Sequence, residues 1–383
     1  MDISDRIARR QTRTREGGLI LDRGPLNPAV HLTEPVGRGP VLERLLDALD
    51  PVFRDRLPDD VAVYGTKGTG KSAVVSALLA ALSDQIGRSR QPIGTTTRAG
   101  SAEASVGFVR VDAYRATSEF RFYHTLLNAV ADDPVPERGV GTETLRDRLR
   151  EQFDTPNRQA VVAVDHVGGA EEVTVEDVRS WLAPVEDSVS LLLVSRTVPP
   201  SWTGETIHVP AYRQHALVDV LTARASKALE SGVLRHGQAR RIAEWAGGDA
   251  HDALAATFGA ADAADRAGAD RIRASDVDAG MDAVPDGCVH VGRVLALPEN
   301  RQRVLAALLD LDEPATVSEA ATRIGERSDL TASTVKRFLY ELAESGVLER
   351  VAATDAEGTG RRPSRVEPRF PTLVFERLYA GQA

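Results

Sequence analysis

The sequence predicts an α/β domain with a parallel sheet, followed by a helical segment and a C-terminal three-helix module. Continuous apolar runs alternate with helix-like segments up to about residue 208, a pattern typical of parallel strands covered by helices on both faces. A glycine-rich turn joins the first apolar run to a helical stretch. Alanine-rich helical segments without strand-like runs occupy residues 212 to 283, and three short helical segments follow from Pro298.

The elements of the α/β region follow from their periodicity. VLERLLDALDPVF (41 to 53) and SAVVSALLAALSDQI (72 to 86) have the apolar spacing of helices. Four apolar runs predict buried strands: VAVY (61 to 64), VGFVRVDAY (106 to 114), VVAVD (161 to 165) and SLLLVS (190 to 195). The Gly/Ser/Thr/Arg stretch at 87 to 105 predicts a long surface loop.

The C-terminal part has the order of a winged helix-turn-helix. Three helical segments with short links are followed by the strand-like VLERV, an Arg/Gly-rich stretch from 357 to 369, and TLVFERLYA. Three helices, a short strand and a basic loop make up the winged-helix pattern. We therefore expect a winged-helix domain that covers residues 290 to 383.

Composition argues for a soluble globular protein. The chain has 383 residues, of which 42 % are hydrophobic, and it has no apolar run of about 18 residues, the length that would suggest a membrane span. Its first 24 residues hold several arginines and no apolar block of the signal-peptide type. The single cysteine, Cys288, has no neighbours with zinc spacing. We expect a cytoplasmic protein with no membrane partner and no structural metal.

The net charge of −9 taken alone argues against nucleic-acid binding, because phosphate repels an acidic surface. Lysine is scarce, however, while Asp, Glu, Arg and Ala are abundant; the lysines are Lys67, Lys71, Lys227 and Lys336. This bias is typical of a salt-adapted or high-GC proteome, in which acidic residues solvate the surface. The acidic balance therefore does not exclude DNA as a partner.

The turn after the first strand, GTKGTGKS (65 to 72), fits the phosphate-binding pattern G-x-x-x-x-G-K-[ST]. The glycines Gly65, Gly68 and Gly70 let backbone N–H groups converge on phosphate oxygens, and the following helix adds the positive end of its dipole. Lys71 would reach the β- and γ-phosphate oxygens, and Ser72 would ligate magnesium. A chance glycine turn is the alternative, but the strand before it and the helix after it favour a P-loop for ATP or ADP.

Asp165 ends the buried run VVAVD, where a second magnesium-ordering residue is expected. An ordinary aspartate that caps the next turn is the alternative. We predict that Ser72 and Asp165 together hold Mg²⁺.

Several further segments stand in a fixed order around these motifs: PVGRGPVLERL (35 to 45), GTKGTGKSAVV, VRVDAY, VPAYRQHALVDVLTARASKAL (209 to 229), GGDAHDALAATFGAADAA (247 to 264) and TASTVKRFLYELAESGVLERV. In this order the chain resembles, over about residues 30 to 350, the archaeal initiators of the origin-recognition and cell-division-control family, which are AAA+ ATPases. The resemblance suggests a member from a halophilic archaeon. It implies a flexible tail (1–24), an AAA+ domain (25–208), a helical lid (209–285) and the winged helix (290–383).

The resemblance also implies which residues contact nucleotide. In the family these are the end of the P-loop and a tyrosine and an arginine of the first lid helix. The matching positions here are Thr69, Gly70, Lys71, Ser72, Ala73, Tyr212 and Arg224. Without the resemblance, Tyr212 would be an aromatic residue at a helix start and Arg224 a solvated surface residue.

Three positions depart from the family's hydrolytic pattern. His166 stands where a glutamate follows the aspartate, Ser195 replaces a polar amide, and GDAH places His251 where the family has arginine. A glutamate polarises the attacking water, and neutral imidazole lacks its fixed negative charge. An arginine stabilises charge on the γ-phosphate, which histidine cannot contact with a two-pronged guanidinium. We expect nucleotide binding with slow or absent hydrolysis; the alternative is that His166 itself acts as the base.

The predicted recognition helix, TASTVKRFLYELAESG, has a buried stripe of Val335, Phe338, Leu339 and Leu342. Its outward residues are Ser333, Thr334, Lys336, Arg337 and Tyr340, and the basic loop after it carries Arg361, Arg362, Arg365 and Arg369 against one acid, Glu367. These side chains are suited to a DNA groove and its phosphates. The alternative is a winged helix that binds protein or has only a structural role.

The leading hypothesis is an ATP-binding, replication-initiator-like protein that binds origin-type double-stranded DNA, in which nucleotide sets the arrangement of the domains. Replicative helicase or other initiator subunits are further expected partners. One alternative is a nucleotide-gated winged-helix regulator of transcription or of a mobile element. Another is a motor-type ATPase.

Overall fold

The computed structural model describes residues 18–89, 105–131, 133–154, 158–168, 173–312, 316–352 and 364–381. These residues form two compact units, one within His31–Tyr212 and the other within Met1–Val30 and Arg213–Ala383. We call them the α/β unit and the helical unit.

The α/β unit is built on a five-stranded parallel sheet with the strand order β2-β3-β4-β1-β5. Its strands are β1 (Val61–Tyr64), β2 (Ser105–Asp112), β3 (Arg158–Val167), β4 (Val189–Ser195) and β5 (Glu205–His208). The four predicted runs form β1 to β4. The fifth strand was missed because ETIH carries only one fully buried side chain, Ile207, whereas the equally short β1 has three.

Helices cover both faces of this sheet, as the continuous apolar strands predict. The helices are α1 (Gly39–Ala48), α2 (Lys71–Ser89), α3 (Glu119–Val130), α4 (Thr142–Phe153) and α5 (Val175–Leu182). Alternate residues of β3 pack on opposite sides: Val161 and Ala163 lie in a core with α1 and α2, and Val162 and Val164 in a core with α3, α4 and α5. The prediction of a helix over 41 to 53 was too long, because a 3₁₀ turn with Pro51 at its start replaces the last part.

The sheet places polar side chains near the carboxyl ends of its strands. Asp112 lies beside Asp165 in the pairing of β2 with β3, and Tyr64 lies beside Ser195 in the pairing of β1 with β4. Open parallel sheets bind ligands at this edge. The P-loop follows β1 at the same edge.

The helical unit begins with four helices: α6 (Gln214–Ala228), α7 (His236–Trp245), α8 (Ala250–Arg266) and α9 (Ala274–Asp282). The start of the described chain is attached to them. Leu19 is buried, Ile20 forms an antiparallel bridge with Leu229, and the backbone N–H of Leu21 donates to the Ala228 carbonyl. Residues 18–24 therefore differ from the expected flexible tail, and the rest of that tail lies outside the described residues.

The unit ends in a winged helix. Its elements are α10 (Val291–Leu295), α11 (Glu299–Leu309), α12 (Val317–Glu326), α13 (Ala332–Glu344), β6 (Leu348–Ala352), β7 (Ser364–Pro368) and α14 (Thr372–Ala380). Strands β6 and β7 pair antiparallel. The predicted fold class, an α/β P-loop domain with a helical lid and a winged helix, is confirmed.

Within the described ranges, no helix combines the length and the apolar character that crossing a membrane requires. The loop predicted for 87 to 105 lies largely outside the described residues; residues 87–89 extend α2 and Ser105 begins β2.

Candidate nucleotide-binding and DNA-binding sites

The P-loop has the backbone that its glycines predict. Gly68 and Gly70 have φ angles of 71° and 76°, in the left-handed region that favours glycine. A Cβ atom on Gly70 would lie 2.6 Å from the Tyr212 hydroxyl oxygen, and one on Gly65 would lie 2.3 Å from the Val209 carbonyl oxygen. The loop therefore requires glycine both for its conformation and for its close neighbours.

Lys71 begins α2 and is buried. Its Nζ atom donates to the carbonyl oxygens of Gly65 and Thr66 at 2.7 and 2.8 Å, and it lies 3.4 Å from the Thr69 hydroxyl. Oxygens of the loop itself thus hold the ammonium group over the P-loop, residues 65 to 72, which we call the phosphate cradle. Ala73 lies in the first turn of the same helix.

The Asp165 carboxylate is 2 % exposed and is contacted on both oxygens. Oδ1 accepts from the Ser72 hydroxyl at 3.0 Å and from the His166 backbone N–H at 2.9 Å, and Oδ2 accepts from Nη2 of Arg110 at 2.9 Å. Burial alone would raise the pKa of this carboxyl, but the positive charges of His166 and Arg110 and its side-chain hydrogen bonds hold it below its usual range. Hydroxyl and carboxylate oxygens are ligands that suit Mg²⁺, so Ser72 and Asp165 fit this ion.

Arg110 is a site residue that was not predicted from the sequence. Its guanidinium reaches from β2 to the end of the neighbouring strand β3, while its own backbone neighbour there is Ala163. The signal was a charged residue within the otherwise apolar run VGFVRVD, but its partner depends on the pairing of the strands.

His166 adopts a left-handed backbone conformation with φ of 64°, which is uncommon for residues other than glycine. Its Nδ1 atom lies 2.9 Å from Oδ1 of Asp112, and its ring stacks on Tyr114 with the centroids 4.1 Å apart. Burial lowers the pKa of the imidazole, but the Asp165 charge and the contact with Asp112 raise it above its usual value. Because a carboxylate only accepts, Nδ1 carries the proton in this contact.

Arg38 is a second site residue that the sequence analysis did not name. It is 5 % exposed, its Nη2 donates to the Pro210 carbonyl at 2.9 Å, and its guanidinium carbon lies 3.5 Å from the centroid of the Tyr212 ring. Its buried Nε has no hydrogen-bond partner, and a Cβ on Gly70 would lie 3.5 Å from it. Burial lowers the pKa of this guanidinium, and Tyr212 partly offsets the effect. Tyr212 and Arg38 therefore lie directly beside the P-loop.

Ser195 is buried at the end of β4. Its hydroxyl donates to the Thr197 carbonyl at 2.7 Å, within its own loop. This contact uses the one proton that the hydroxyl can donate.

His251 lies in the helical unit and is 3 % exposed. The backbone N–H of Val291 donates to its Nε2 at 2.9 Å, so Nε2 carries no proton, and its Nδ1 donates to Oδ1 of Asp252 at 2.8 Å. The Cys288 thiol donates to the same carboxylate oxygen. Ligand atoms of His251, Asp252 and Cys288 lie within 4.8 Å of one another, but ligation of a metal through Nδ1 would displace the proton that the Val291 contact requires. The cluster instead joins the start of α8 to the start of α10.

Arg224 also lies in the helical unit. Its side chain is buried on α6, and its Nη1 donates to the Pro25 carbonyl at 2.9 Å. The alternative of a solvated surface position is therefore wrong, and the nucleotide contact predicted for Arg224 stays a prediction.

The helix α13 has the predicted buried stripe: Val335, Phe338, Leu339 and Leu342 are each 3 % exposed or less. On its other side Ser333 and Arg337 are exposed, and Thr334, Lys336 and Tyr340 are partly exposed. Lys336 Nζ donates to the Ser318 hydroxyl at 2.9 Å, and Arg337 pairs with Glu341 at 2.9 Å. Two cations thus line the polar face of α13.

In the wing, Arg365 lies on β7 and pairs with Glu367 at 2.6 Å. Arg369 follows β7 and donates to the Gly287 carbonyl. Arg361 and Arg362 lie outside the described residues.

Comparisons with known proteins show which domain family and which proteins this chain is similar to. Residues 34–194 match the AAA ATPase domain family, and this segment contains the P-loop and Asp165. ORC1-type DNA replication protein 11 of Haloarcula marismortui is 24 % identical over 373 residues, which cover 91 % of this chain and 87 % of the relative. The ORC1-type DNA replication protein of Pyrococcus abyssi is 24 % identical over 338 residues, or 80 % of this chain and 77 % of the relative.

The chain is similar to archaeal ORC1-type DNA replication proteins over most of its length. The resemblance stated from its sequence is confirmed, and halophilic archaea are among the sources of these relatives.

Solved structures of ORC proteins share the fold. The Aeropyrum pernix ORC1 protein, solved in complex with DNA, has a TM-score of 0.63 at 21 % identity and covers 94 % of this chain and 97 % of its own. The ADP form of the Aeropyrum pernix ORC2 protein has a TM-score of 0.56 at 18 % identity, with coverage of 95 % and 99 %.

Proposed function

We propose that this chain is an initiator-type protein that binds ATP or ADP in its P-loop and double-stranded DNA through its winged helix, with slow or absent hydrolysis. The observation that carries the nucleotide part is the 3.0 Å contact between the Ser72 hydroxyl and the Asp165 carboxylate. It joins the end of the phosphate cradle to the end of a buried strand, the arrangement that P-loop NTPases use for the nucleotide and its ion.

The residues of the cradle have complementary roles. Backbone N–H groups of residues 65 to 72 and the start of α2 attract the phosphates. Lys71 exchanges loop carbonyls for phosphate oxygens, and Tyr212 with Arg38 lies beside Gly70 to position the rest of the nucleotide. Ser72 and Asp165 would hold Mg²⁺, which supplies charge neutralisation at the phosphates.

Slow hydrolysis follows from the three substituted positions. The imidazole of His166 is bound to Asp112, the Ser195 hydroxyl is bound to Thr197, and both ring nitrogens of His251 are bound within the helical unit. None of these groups has the fixed negative charge of a water-polarising glutamate or the guanidinium of a phosphate-binding arginine.

The DNA part rests on Lys336 and Arg337 on the polar face of α13, with the arginines of the wing nearby in sequence. An origin-type site is supported by the ORC1-type names of the relatives and by the DNA complex of the Aeropyrum pernix ORC1 protein. Initiator subunits and helicase as partners, the domain boundaries and a cytoplasmic location stay predictions.

The nucleotide site is tested with Lys71→Ala. Loss of the ammonium should weaken binding of a fluorescently labelled ADP by about a hundredfold, because charge-assisted contacts to phosphate are among the strongest in such a site. Lys227→Ala, which removes an exposed lysine from the end of α6, is the control. Equal affinity of both variants and the parent would refute the P-loop site.

Hydrolysis is tested in a single-turnover assay of the purified chain with labelled ATP. We expect bound ATP to persist, and rapid release of phosphate would refute the proposal of slow hydrolysis.

DNA binding is tested with the double variant Lys336→Ala, Arg337→Ala. Duplex affinity should fall about tenfold or more, with a smaller dependence on salt, because two phosphate-neutralising groups are lost. Unchanged affinity would refute the DNA interface. Mapping of bound sites on the source genome then separates an initiator, bound at replication origins, from a regulator bound at scattered promoters.

A further inference from the structure

The charge that neutralises Asp165 comes from the chain itself. Arg110 on β2 forms a 2.9 Å ion pair with Oδ2 of this carboxylate, whose side chain is 2 % exposed. The Arg110 side chain is 35 % exposed, so a partly exposed cation contacts a buried carboxylate. In a P-loop site the aspartate at this position ordinarily faces a divalent cation.

The carboxylate also has few vacant lone pairs. It accepts three hydrogen bonds, from the Ser72 hydroxyl, the His166 backbone N–H and Arg110, and an ionised carboxylate offers about four acceptor positions. Among these three donors only Arg110 is cationic, and the His166 imidazole, whose Nε2 atom lies 3.9 Å from Oδ1, adds positive charge when it is protonated. The carboxylate therefore has positive charge beside it and nearly all of its hydrogen-bond positions filled.

An ionised Asp165 without a cation would repel the phosphates of a nucleotide in the adjoining cradle. A fixed guanidinium removes most of this repulsion before any ion arrives.

We propose that Arg110 is a positioning residue that neutralises Asp165 and makes nucleotide binding by this chain largely independent of magnesium. This inference rests on the proposed nucleotide site. A purely structural role, in which Arg110 only ties β2 to β3, would leave the magnesium dependence unchanged.

The experiment measures the dissociation constant of a fluorescently labelled ADP by anisotropy, with the full chain in EDTA and in saturating MgCl₂. For the parent we expect the two constants to differ by less than about threefold. Arg110→Gln should raise this ratio to more than about tenfold, mainly through weaker binding in EDTA. Arg110→Lys, which keeps the charge, should stay near the parent ratio.

The exposed Arg121 on α3 provides the control, since Arg121→Ala removes the same charge from the same unit. A parent ratio above about tenfold overturns the inference. So does a ratio for Arg110→Gln that equals the parent's, or a ratio for Arg110→Lys that equals that of Arg110→Gln.

Two further outcomes are distinguishable. If Arg110→Gln does not give a cooperative melting curve, the parent and Arg110→Lys ratios alone decide the question. If no variant and no buffer shows nucleotide binding, the proposed nucleotide site is refuted, and the inference about Arg110 with it.

Discussion

Two buried aspartates, one in each unit, make a useful comparison. Asp165 lies near the carboxyl end of β3 in the α/β unit and pairs with Arg110, and its side chain is 2 % exposed. Asp262 lies within α8 of the helical unit, and its side chain is 1 % exposed. It is surrounded by Arg377 at 2.9 Å, Arg266 at 3.0 Å and Arg23 at 3.4 Å.

Burial and an arginine partner are therefore common to both residues and do not by themselves indicate a functional site. The other neighbours differ. Asp165 lies beside a phosphate cradle and is contacted by Arg110, by two neutral donors and, at 3.9 Å, by the His166 imidazole. Asp262 has three arginines from three segments: the start of the described chain, its own helix and the last helix. The first arrangement is suited to a ligand, and the second joins parts of the chain.

The comparison predicts the largest loss of stability at Asp262. Asp262→Asn removes the charge that holds Arg23 and Arg377 to α8, and we expect the free energy of unfolding to fall by about 2 to 3 kcal/mol, since hydrogen bonds to charged groups are strong and the arginines are only partly exposed. Urea denaturation measures the change. The affinity for labelled ADP should stay the same.

Asp165→Asn should give the opposite pattern. We expect a smaller loss of stability, about 1 to 2 kcal/mol, because Arg110 can turn to solvent and the Ser72 contact can be kept by the amide oxygen. Nucleotide affinity should rise, because Arg110 loses its carboxylate partner and its positive charge then acts on the phosphates, while the ratio of dissociation constants in EDTA and MgCl₂ should stay below about threefold, as in the parent. The assignment of Asp165 to the nucleotide site and of Asp262 to a structural role would be contradicted if Asp262→Asn altered nucleotide binding and Asp165→Asn did not.

A substitution at His166, the residue next to Asp165, tests the charge balance of the same site. His166→Glu would place a third carboxylate beside Asp112 and Asp165, in a left-handed backbone conformation. We expect a loss of about 1 to 2 kcal/mol in stability from charge repulsion and backbone strain, and no gain of hydrolysis in single-turnover assays.

Adding Asp112→Asn to His166→Glu provides the control. Removal of one of the three negative charges should recover part of the lost stability in urea denaturation. Rapid ATP hydrolysis by His166→Glu alone would contradict the view that Asp112 and the other two substitutions limit this site.

The sequence predicted the parts of the site that are local in the chain. The P-loop, the run that contains Asp165 and the strands β1 to β4 each have a pattern within a few residues, and these strands form where the pattern predicts them. Arg110, Asp112 and Arg38 were not identified, because their roles depend on strand pairing and on contacts across the unit. Arg38 meets Tyr212, which lies 174 residues later in the chain by their numbers.

The same reasoning applies to the start of the chain and to His251. Residues 18–24 have the composition of a tail, but a bridge to Leu229 and a hydrogen bond from Leu19 N–H to Asp265 hold them to the helical unit. His251 stands at the position of an arginine in the motif, yet its backbone donor, Val291, is 40 positions away. Local patterns therefore identified the cradle, and only tertiary contacts identified what surrounds it.

The smallest predicted effect concerns an acid at the surface. Glu341 on α13 is 37 % exposed and pairs with Arg337 at 2.9 Å and Arg301 at 3.0 Å. Like Asp262 it has more than one arginine partner, but solvent screens the pairs, so Glu341→Gln should change the free energy of unfolding by less than about 1 kcal/mol.

The same variant also tests whether Glu341 lowers the affinity of Arg337 for DNA phosphates. Glu341 competes with phosphate for the Arg337 guanidinium, so Glu341→Gln should raise duplex affinity about two- to threefold at low salt, with the gain disappearing as salt rises. Glu344→Gln removes the same charge from an exposed position at the end of α13 and separates release of Arg337 from a general change in net charge. An equal gain in both variants would show that net charge alone is responsible. A gain confined to Glu341→Gln would indicate that Arg337 contacts the phosphates. Glu341 would then modulate DNA binding, whereas Asp262 stabilises the fold.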